Sequence, residues 1–424
     1  MKNIIFTIFI FGLAILPSWA KQGKACENEK KIYNNAKNDV NQFSLAVCYN
    51  LSGNVGKSLD LLEEIIERND KNTSSNNLKR VNLELGAAYF QNRNYKKAKK
   101  TLTEVLTYKD LPPVARRNVN NILNKIKNIK TFGGSVALGT SENDNINSGT
   151  YSNTVEILGN EVETRDLGSS TPIKAKALNY SASLYKKFFL NKNFDINLIT
   201  SYNDIHYADN SNYDIRVFSP KIITTFNAGN YESSISANMS KIYLGHKDYN
   251  NNYNATYSHQ YNFSNYFIPK YSFSLTKMNY LQESNAAYEG NSKQHNLDLR
   301  FNIIVKNNFY GYITPYYNRS DNNLELEVHS YFSNKYGALY VQKMPFQALL
   351  SLNYYHQNKK YDASSAIFLA KKNSETKYFS SSISRKLFNN VNASLSYSIE
   401  KQDSDVKLLK YNKEQFGINI SYGF

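Results

Sequence analysis

The sequence predicts an α + membrane β protein: a short helical repeat domain followed by a C-terminal antiparallel transmembrane β-barrel of about 14 strands. Three observations carry this. Residues Phe416 to Phe424 alternate without a break, with Phe416, Ile418, Ile420, Tyr422 and Phe424 on one face and Gly417, Asn419, Ser421 and Gly423 on the other. Successive strand side chains point to opposite faces, and an aromatic chain end closing such a strand marks an outer-membrane barrel with lipid outside and water inside. Residues 27–130 follow a spacing of three and four instead. From Phe132 onward, short alternating runs are separated by polar breaks.

The elements follow in chain order. Lys2, the apolar run Ile4 to Leu16 and the small-residue stretch Pro17-Ser18-Trp19-Ala20 read as a secretory signal peptide spanning 1–20. Its apolar core is too short to span a bilayer. Export to an oxidising compartment allows the two cysteines, Cys26 and Cys48, to form one disulfide beside the first helical hairpin.

In 27–130, Leu45-Ala46, Tyr49, Ser58, Leu62 and Ile65 recur as Leu85-Gly86, Tyr89, Ala98, Leu102 and Val105, displaced by 40 residues. This Leu-Gly…Tyr…Ala…Leu pattern is tetratricopeptide-like, with a longer turn at Asn69 to Asn77. Small residues at Ala46, Gly86, Ser58 and Ala98 let paired helices approach. Pro112-Pro113 then opens a capping helix over Val114 to Ile129. The concave face of such an array would carry Val40, Phe43, Val47, Arg80, Leu83, Ala87 and Phe90 as a client-binding groove. The competing reading makes most of these ordinary inter-helix core.

Over 131–424, strands are expected near 132–140, 176–188, 193–204, 213–225, 231–243, 253–263, 267–280, 293–305, 308–319, 331–343, 346–357, 376–387, 391–401 and 414–424. The breaks between them alternate short and long, as periplasmic turns and external loops do. An even strand number places the helical repeats and Phe424 on one side, the periplasm. Inward positions read as Ser, Asn, Gly and Thr, giving a wet lumen. Pro220, Pro269 and Pro315 fall inside strands and are expected at bulges or strand ends, because a closed barrel has no free edge.

Composition agrees. The 35 tyrosines and 23 phenylalanines against one tryptophan supply aromatic girdles. A mean hydropathy of −0.56 does not exclude a barrel, because only alternate strand residues meet lipid. The net charge of +16 suits outer-membrane lipid and lipopolysaccharide or an acidic client, or is simply a solvated basic surface. Export argues against nucleic acid.

No enzyme, metal or cofactor chemistry is expected. The six histidines have no metal spacing. His329-Ser330 and Ser258-His259 are adjacent pairs whose members face opposite sides of a strand. The first long loop is acidic, with Glu142, Asp144, Glu156, Glu161, Glu163 and Asp166. It reads as a solvated loop, or as a calcium or partner site.

At the junction the residues become specific: Leu111-Pro112-Pro113-Val114, then Gly133-Gly134-Ser135-Val136-Ala137-Leu138-Gly139, then Asn143-Asp144-Asn145-Ile146-Asn147. With repeats before and a barrel after, this order resembles the surface lipoprotein assembly modifier family. The last external loop, Gln402 to Lys413, does not match it, and the repeat region is short. The resemblance implies an outer-membrane translocon that delivers client lipoproteins or secreted proteins to the cell surface. It implies a periplasmic chaperone as partner of the repeats. Barrel-assembly machinery would read the Phe416–Phe424 insertion signal. The resemblance carries over Asp144, Asn145 and Asn147 as pore-mouth or loop-anchoring residues; the competing reading is an Asx-rich turn. The alternative functions are an exopolysaccharide exporter and a small-molecule porin with a periplasmic repeat domain.

Overall fold

The computed structural model describes residues 26–69, 76–168, 170–305 and 308–424. The expected signal peptide and most of the longer turn at 69–77 lie outside the described residues. The chain forms two compact units: one helical, up to Lys130 together with Phe189–Asn193, and one β, Thr131–Phe188 with Phe194–Phe424.

The helical unit runs α1 (Glu27–Asn35), α2 (Asp39–Leu51), α3 (Val55–Asn69), α4 (Asn76–Gln91), α5 (Tyr95–Val105) and α6 (Pro113–Lys127). Asn38 and Asn94 cap α2 and α5, their side chains accepting from the amides of Asn41 and Lys97. Such a cap satisfies one orphan amide of the first turn. The core of α2–α5 holds Ala46, Leu62, Ile65, Val81, Leu85 and Ala88. A second cluster joins Leu102 and Val105 of α5 to Val119 of α6, with Leu83 against it. Gly86 is where small size matters: an added Cβ would lie 2.5 Å from the Cδ2 of buried Leu102. Arg116 of α6 donates to the carbonyls of Leu106 and Tyr108, both at 3.1 Å, using acceptors that the end of α5 leaves open.

Cys26 and Cys48 form a disulfide that ties the start of α1 to α2. Its sequence separation of 22 corresponds to about 3 kcal/mol of lost unfolded-state entropy. Reduction, or Cys26→Ser with Cys48→Ser, should lower the helical melting temperature seen by circular dichroism and leave the strand signal unchanged. An unshifted helical transition would show that α1 adds nothing to this unit.

The β unit is one closed barrel with the order β1-β16-β15-β14-β13-β12-β11-β10-β9-β8-β7-β6-β5-β4. Its strands are β1 (Phe132–Asn143), β4 (Ala175–Phe189), β5 (Phe194–Tyr207), β6 (Ile215–Ala228), β7 (Tyr231–Leu244), β8 (Lys247–Tyr261) and β9 (Phe267–Tyr280). They continue with β10 (Gly290–Val305), β11 (Asn308–Leu324), β12 (Tyr331–Lys343), β13 (Ala348–Tyr361), β14 (Ser374–Phe388), β15 (Val391–Ser404) and β16 (Tyr411–Gly423). A separate hairpin, β2 (Thr154–Ile157) and β3 (Asn160–Glu163), sits within the first long loop. All fourteen expected strands are present. Most run several residues further at the long-loop end, where both faces are polar and alternation no longer marks the strand.

The registers place Phe416, Ile418, Ile420 and Tyr422 on the same side as Leu395, Tyr397, Leu138 and Val136. Apart from half-buried Tyr397, these side chains are exposed, which marks the lipid face. The other side carries cross-strand hydroxyl pairs such as Ser135–Ser183 at 2.9 Å, Ser234–Ser258 at 2.7 Å and Ser320–Ser333 at 2.8 Å. Such pairs stabilise a sheet and leave a wettable surface.

The prolines correct the sequence expectation. Only Pro269 sits at a ladder end, just past the last β8–β9 pair, Gln260↔Lys270. Pro220 and Pro315 lie in mid-strand without a bulge. The β6–β7 ladder has Phe218↔Lys241 and Lys221↔Asn238 with nothing paired between, and the β10–β11 ladder breaks likewise between Asp298↔Tyr316 and Phe301↔Ile313. The register is unchanged across both gaps. A missing N–H therefore opens one rung locally while the other neighbour stays paired, as in Thr200↔Pro220 and Pro315↔Ala338. All three prolines fall on the lipid face of the register.

Candidate functional site

The residues singled out in the first long loop form a buried node at the long-loop end of the β1–β16 seam. Asn145 is fully buried. Its Nδ2 donates to the carbonyl of Gly149 at 2.9 Å and to that of Asn412, at the start of β16, at 2.8 Å. Its Oδ1 accepts from Gly149 N at 2.7 Å. Asp144 pairs with Glu414 through both main chain and side chain: its amide donates to Glu414 O at 3.2 Å and its Oδ1 accepts from Glu414 N at 2.6 Å. Asn147 closes the loop on itself, donating to Thr171 O at 2.7 Å and accepting from Ile173 N at 2.9 Å.

Thr150 extends the node to the last loop, donating to Lys407 O at 2.9 Å. The β2–β3 hairpin turns at Leu158 and Gly159, both with positive φ, as a two-residue hairpin turn requires. Leu158 N donates to Ile367 O of the β13–β14 loop at 2.7 Å. Val155 and Val406 are buried, although both belong to loops. The first loop is therefore a folded cover bound to the last two long loops. The Asx turn here is made by Asn143, whose Oδ1 accepts from Asn145 N at 2.9 Å, whereas Asn145 bonds four residues on, to Gly149, and joins the loop to β16.

The same seam is glycine-rich at its other end. Gly134 and Phe424 exchange main-chain hydrogen bonds of 3.1 and 3.0 Å. A Cβ on Gly134 would lie 2.5 Å from Ser183 O and 2.8 Å from the Phe424 ring. A Cβ on Gly139 would lie 2.6 Å from Ile418 O. Phe424 ends the lipid-facing row of the insertion signal.

The acidic side chains of the first loop disperse to separate partners. Glu142 meets Lys174 at 2.6 Å, Glu163 meets Arg165 at 2.5 Å, and Glu161 accepts from Thr154 at 2.5 Å. Among the described residues, the one group with metal-ligand proximity is Cys26, Glu29 and Cys48, whose sulfurs are already joined. His206 and His246, distant in sequence, converge on buried Asp214 at 2.7 and 3.4 Å. Arg216 lies 2.8 Å from the other nitrogen of His246, so this is a polar tie between two loops with a cation beside it. Ser258 bonds Ser234, whereas His259 meets Ser233 at 2.7 Å on the opposite face. His329 lies 2.7 Å from the Lys372 ammonium while Ser330 binds the main chain of Leu324. Neither adjacent Ser/His pair is a catalytic dyad.

The lumen carries more charge than the sequence reading allowed. By register, Lys221, Lys270, Arg300, Lys335, Lys359 and Lys413 face inward, against Glu232, Asp298 and Glu400. Glu400 accepts from Tyr411 at 2.5 Å and from Tyr355 at 3.4 Å. Tyr355 stacks on Tyr378 with centroids 4.8 Å apart, and the Lys335 ammonium lies 4.5 Å from the Tyr355 ring. The wall from β11 to β16 is thus aromatic and cationic, whereas that from β4 to β9 is mostly hydroxyl. Glu400 continues the inward alternation of Ser396 and Ser398, four and two positions earlier.

In the helical unit the expected groove residues divide. The Arg80 guanidinium lies 5.6 Å from the Phe43 ring, and Val40 is exposed. Val47 and Ala87 are half-buried. Leu83 packs into the α5–α6 core, and Phe90 packs against the main core with its ring 5.9 Å from Tyr95. Beside Arg80, burial holds the Glu84 carboxyl above its ordinary value, only partly offset by the Arg80 charge. Tyr89, missed as a polar anchor, is pushed up to about 12 by burial and by its bond to Glu63.

The sequence model of the surface lipoprotein assembly modifier family matches residues 133–424. No curated protein matches this chain. Among solved structures, the chain is similar to an anion-selective porin from Comamonas acidovorans, at 8% identity and a TM-score of 0.41, over 69% of this chain and 99% of that one. It is also similar to a bacterial polysaccharide outer membrane secretin, at 7% identity and a TM-score of 0.37, over 68% and 98%. A third is the translocator domain of the autotransporter NalP from Neisseria meningitidis, at 10% identity and a TM-score of 0.27, over 73% and 94%. With its barrel matched from Gly133 to the final Phe424, the chain is an outer-membrane β-barrel that belongs to the surface lipoprotein assembly modifier family.

Proposed function

We propose that the protein is a non-enzymatic translocon that delivers client lipoproteins or secreted proteins to the cell surface. The family match over 133–424 carries this reading. On it, the long loops face outward and the helical unit lies in the periplasm. There its tetratricopeptide-like hairpins receive the client or a periplasmic chaperone, with Phe43, Arg80 and Glu84 offering an aromatic and charged contact. Two routes outward are supported. One is the polar lumen. The other is the β1–β16 seam, where Gly133, Gly134, Gly139 and Gly417 leave few side chains to unpack if the strands part. Client folding outside, which prevents return, supplies direction.

The test is surface display. Each exported protein encoded beside this gene is expressed with and without the chain, and intact cells are probed with antibody and added protease. One of them should become exposed only when the chain is present. Deleting 27–130 should abolish that display while the barrel still inserts; normal display from the truncated barrel would overturn the mechanism. The inward excess of lysine and arginine favours one rival, export of an anionic polysaccharide. That rival requires loss of a surface polysaccharide on deletion of the gene and no client dependence.

A further inference from the structure

A groove of 1020 Å³ lies on the β5–β10 wall. Most of its lining side chains belong to the lipid face of the register. One cross-strand row explains its shape: Ile222↔Ala237, Ala237↔Ala255, Ala255↔Leu275. Two alanines face each other between large neighbours, so the floor drops to Cβ height while Ile222 and Leu275 form the walls. The Pro220 gap in the ladder is beside it. The trough has the apolar character of an acyl-chain site.

Its long-loop rim is cationic. Lys277 is the first polar outward position on β9 after Tyr271, Phe273 and Leu275. Lys293 stands opposite Leu275, placing the two lysines diagonally across β9 and β10, roughly 7–8 Å apart. Three other outward cations near this level have acid partners: Lys241 with Asp248 at 3.1 Å, Arg319 with Asp321 at 3.7 Å, and Lys377 with Glu375 at 3.2 Å. Asp321 stands opposite Lys293 in the ladder, but its ion pair is with Arg319. Among the described residues, no ion pair involves Lys277 or Lys293. Two unneutralised ammonium groups at the edge of an apolar band, directly over an apolar trough, complement a phosphorylated acyl glycolipid.

We infer that this wall is a lipopolysaccharide-binding site, with an acyl chain in the Ala237–Ala255 trough and headgroup phosphate on Lys277 and Lys293. The inference rests on the outward orientation of the long loops given above. The test uses the full-length protein, K277Q/K293Q and A237F/A255F, each extracted in mild detergent, checked for a heat-modifiable barrel, and analysed by mass spectrometry for co-purified lipid. Wild type should retain lipopolysaccharide through detergent exchange. K277Q/K293Q should bind roughly 30-fold more weakly, two surface lysines' worth. A237F/A255F should lose it by steric filling. Equal retention by a folded K277Q/K293Q overturns the site and leaves the orientation standing. Retention of anionic phospholipid in place of lipopolysaccharide, lost in K277Q/K293Q, overturns both.

Discussion

Asn145→Ala should unfasten the loop cover and destabilise the seam by about 3 kcal/mol, because it strands the amide and carbonyl of buried Gly149 and removes the bridge to Asn412 O. The measurements are protease cleavage within residues 146–173 on intact cells and the temperature at which the barrel loses its SDS-resistant migration. Asn145→Asp is the sharper variant. The local bond from Gly149 N needs only the side-chain oxygen, which aspartate retains. The bridge to Asn412 needs the Nδ2 donor, which aspartate lacks, and a buried carboxylate facing two carbonyls is worse than an empty space. If Asn145→Asp behaves as wild type while Asn145→Ala does not, the node is a local turn and the seam closes without it. Asn147→Ala should loosen the loop, because its side chain bonds Thr171 and Ile173 within it.

The difference between Asn145 and Asn147 also shows where reading the sequence stops. Strand alternation is a local signal with a period of two, and it delivered every barrel strand and the lipid face of Phe416 to Phe424. It carries no information about Asn412 or Lys407, which meet the first loop only because fourteen strands close a ring. His206, Asp214 and His246 are brought together the same way, by adjacent loops of neighbouring hairpins. The prolines fail differently. The expectation treated a lost N–H as requiring a bulge, whereas Pro220 and Pro315 each sacrifice rungs on one side and keep the register on both. In the helical unit the 40-residue offset located the paired helices. It could not say that α6 would claim Leu83 for its own core.

Gly134→Val should block closure of the barrel at the opposite end of the seam. The new Cβ would sit 2.5 Å from a backbone oxygen, Ser183 O, which cannot yield without breaking the β1–β4 ladder. On the other side it meets the Phe424 ring at 2.8 Å, and Phe424 is held to Gly134 by two main-chain bonds. Relief therefore comes by expelling the ring or parting β1 from β16. Overpacking of this kind costs about 1–3 kcal/mol, and a strand-closing step felt at its upper end should lower the heat-modifiable, membrane-inserted fraction by roughly ten-fold or more. Gly423→Ala is the matched control on the facing strand, since its nearest neighbour would be at 3.8 Å. If both variants insert normally, Phe424 is a passive end and the close approach at Gly134 is dispensable. If Gly134→Val fails and Phe424→Ala restores it, the ring is what the glycine admits. The aromatic chain end then serves as the last piece of the closed wall, seated by a residue 290 positions earlier.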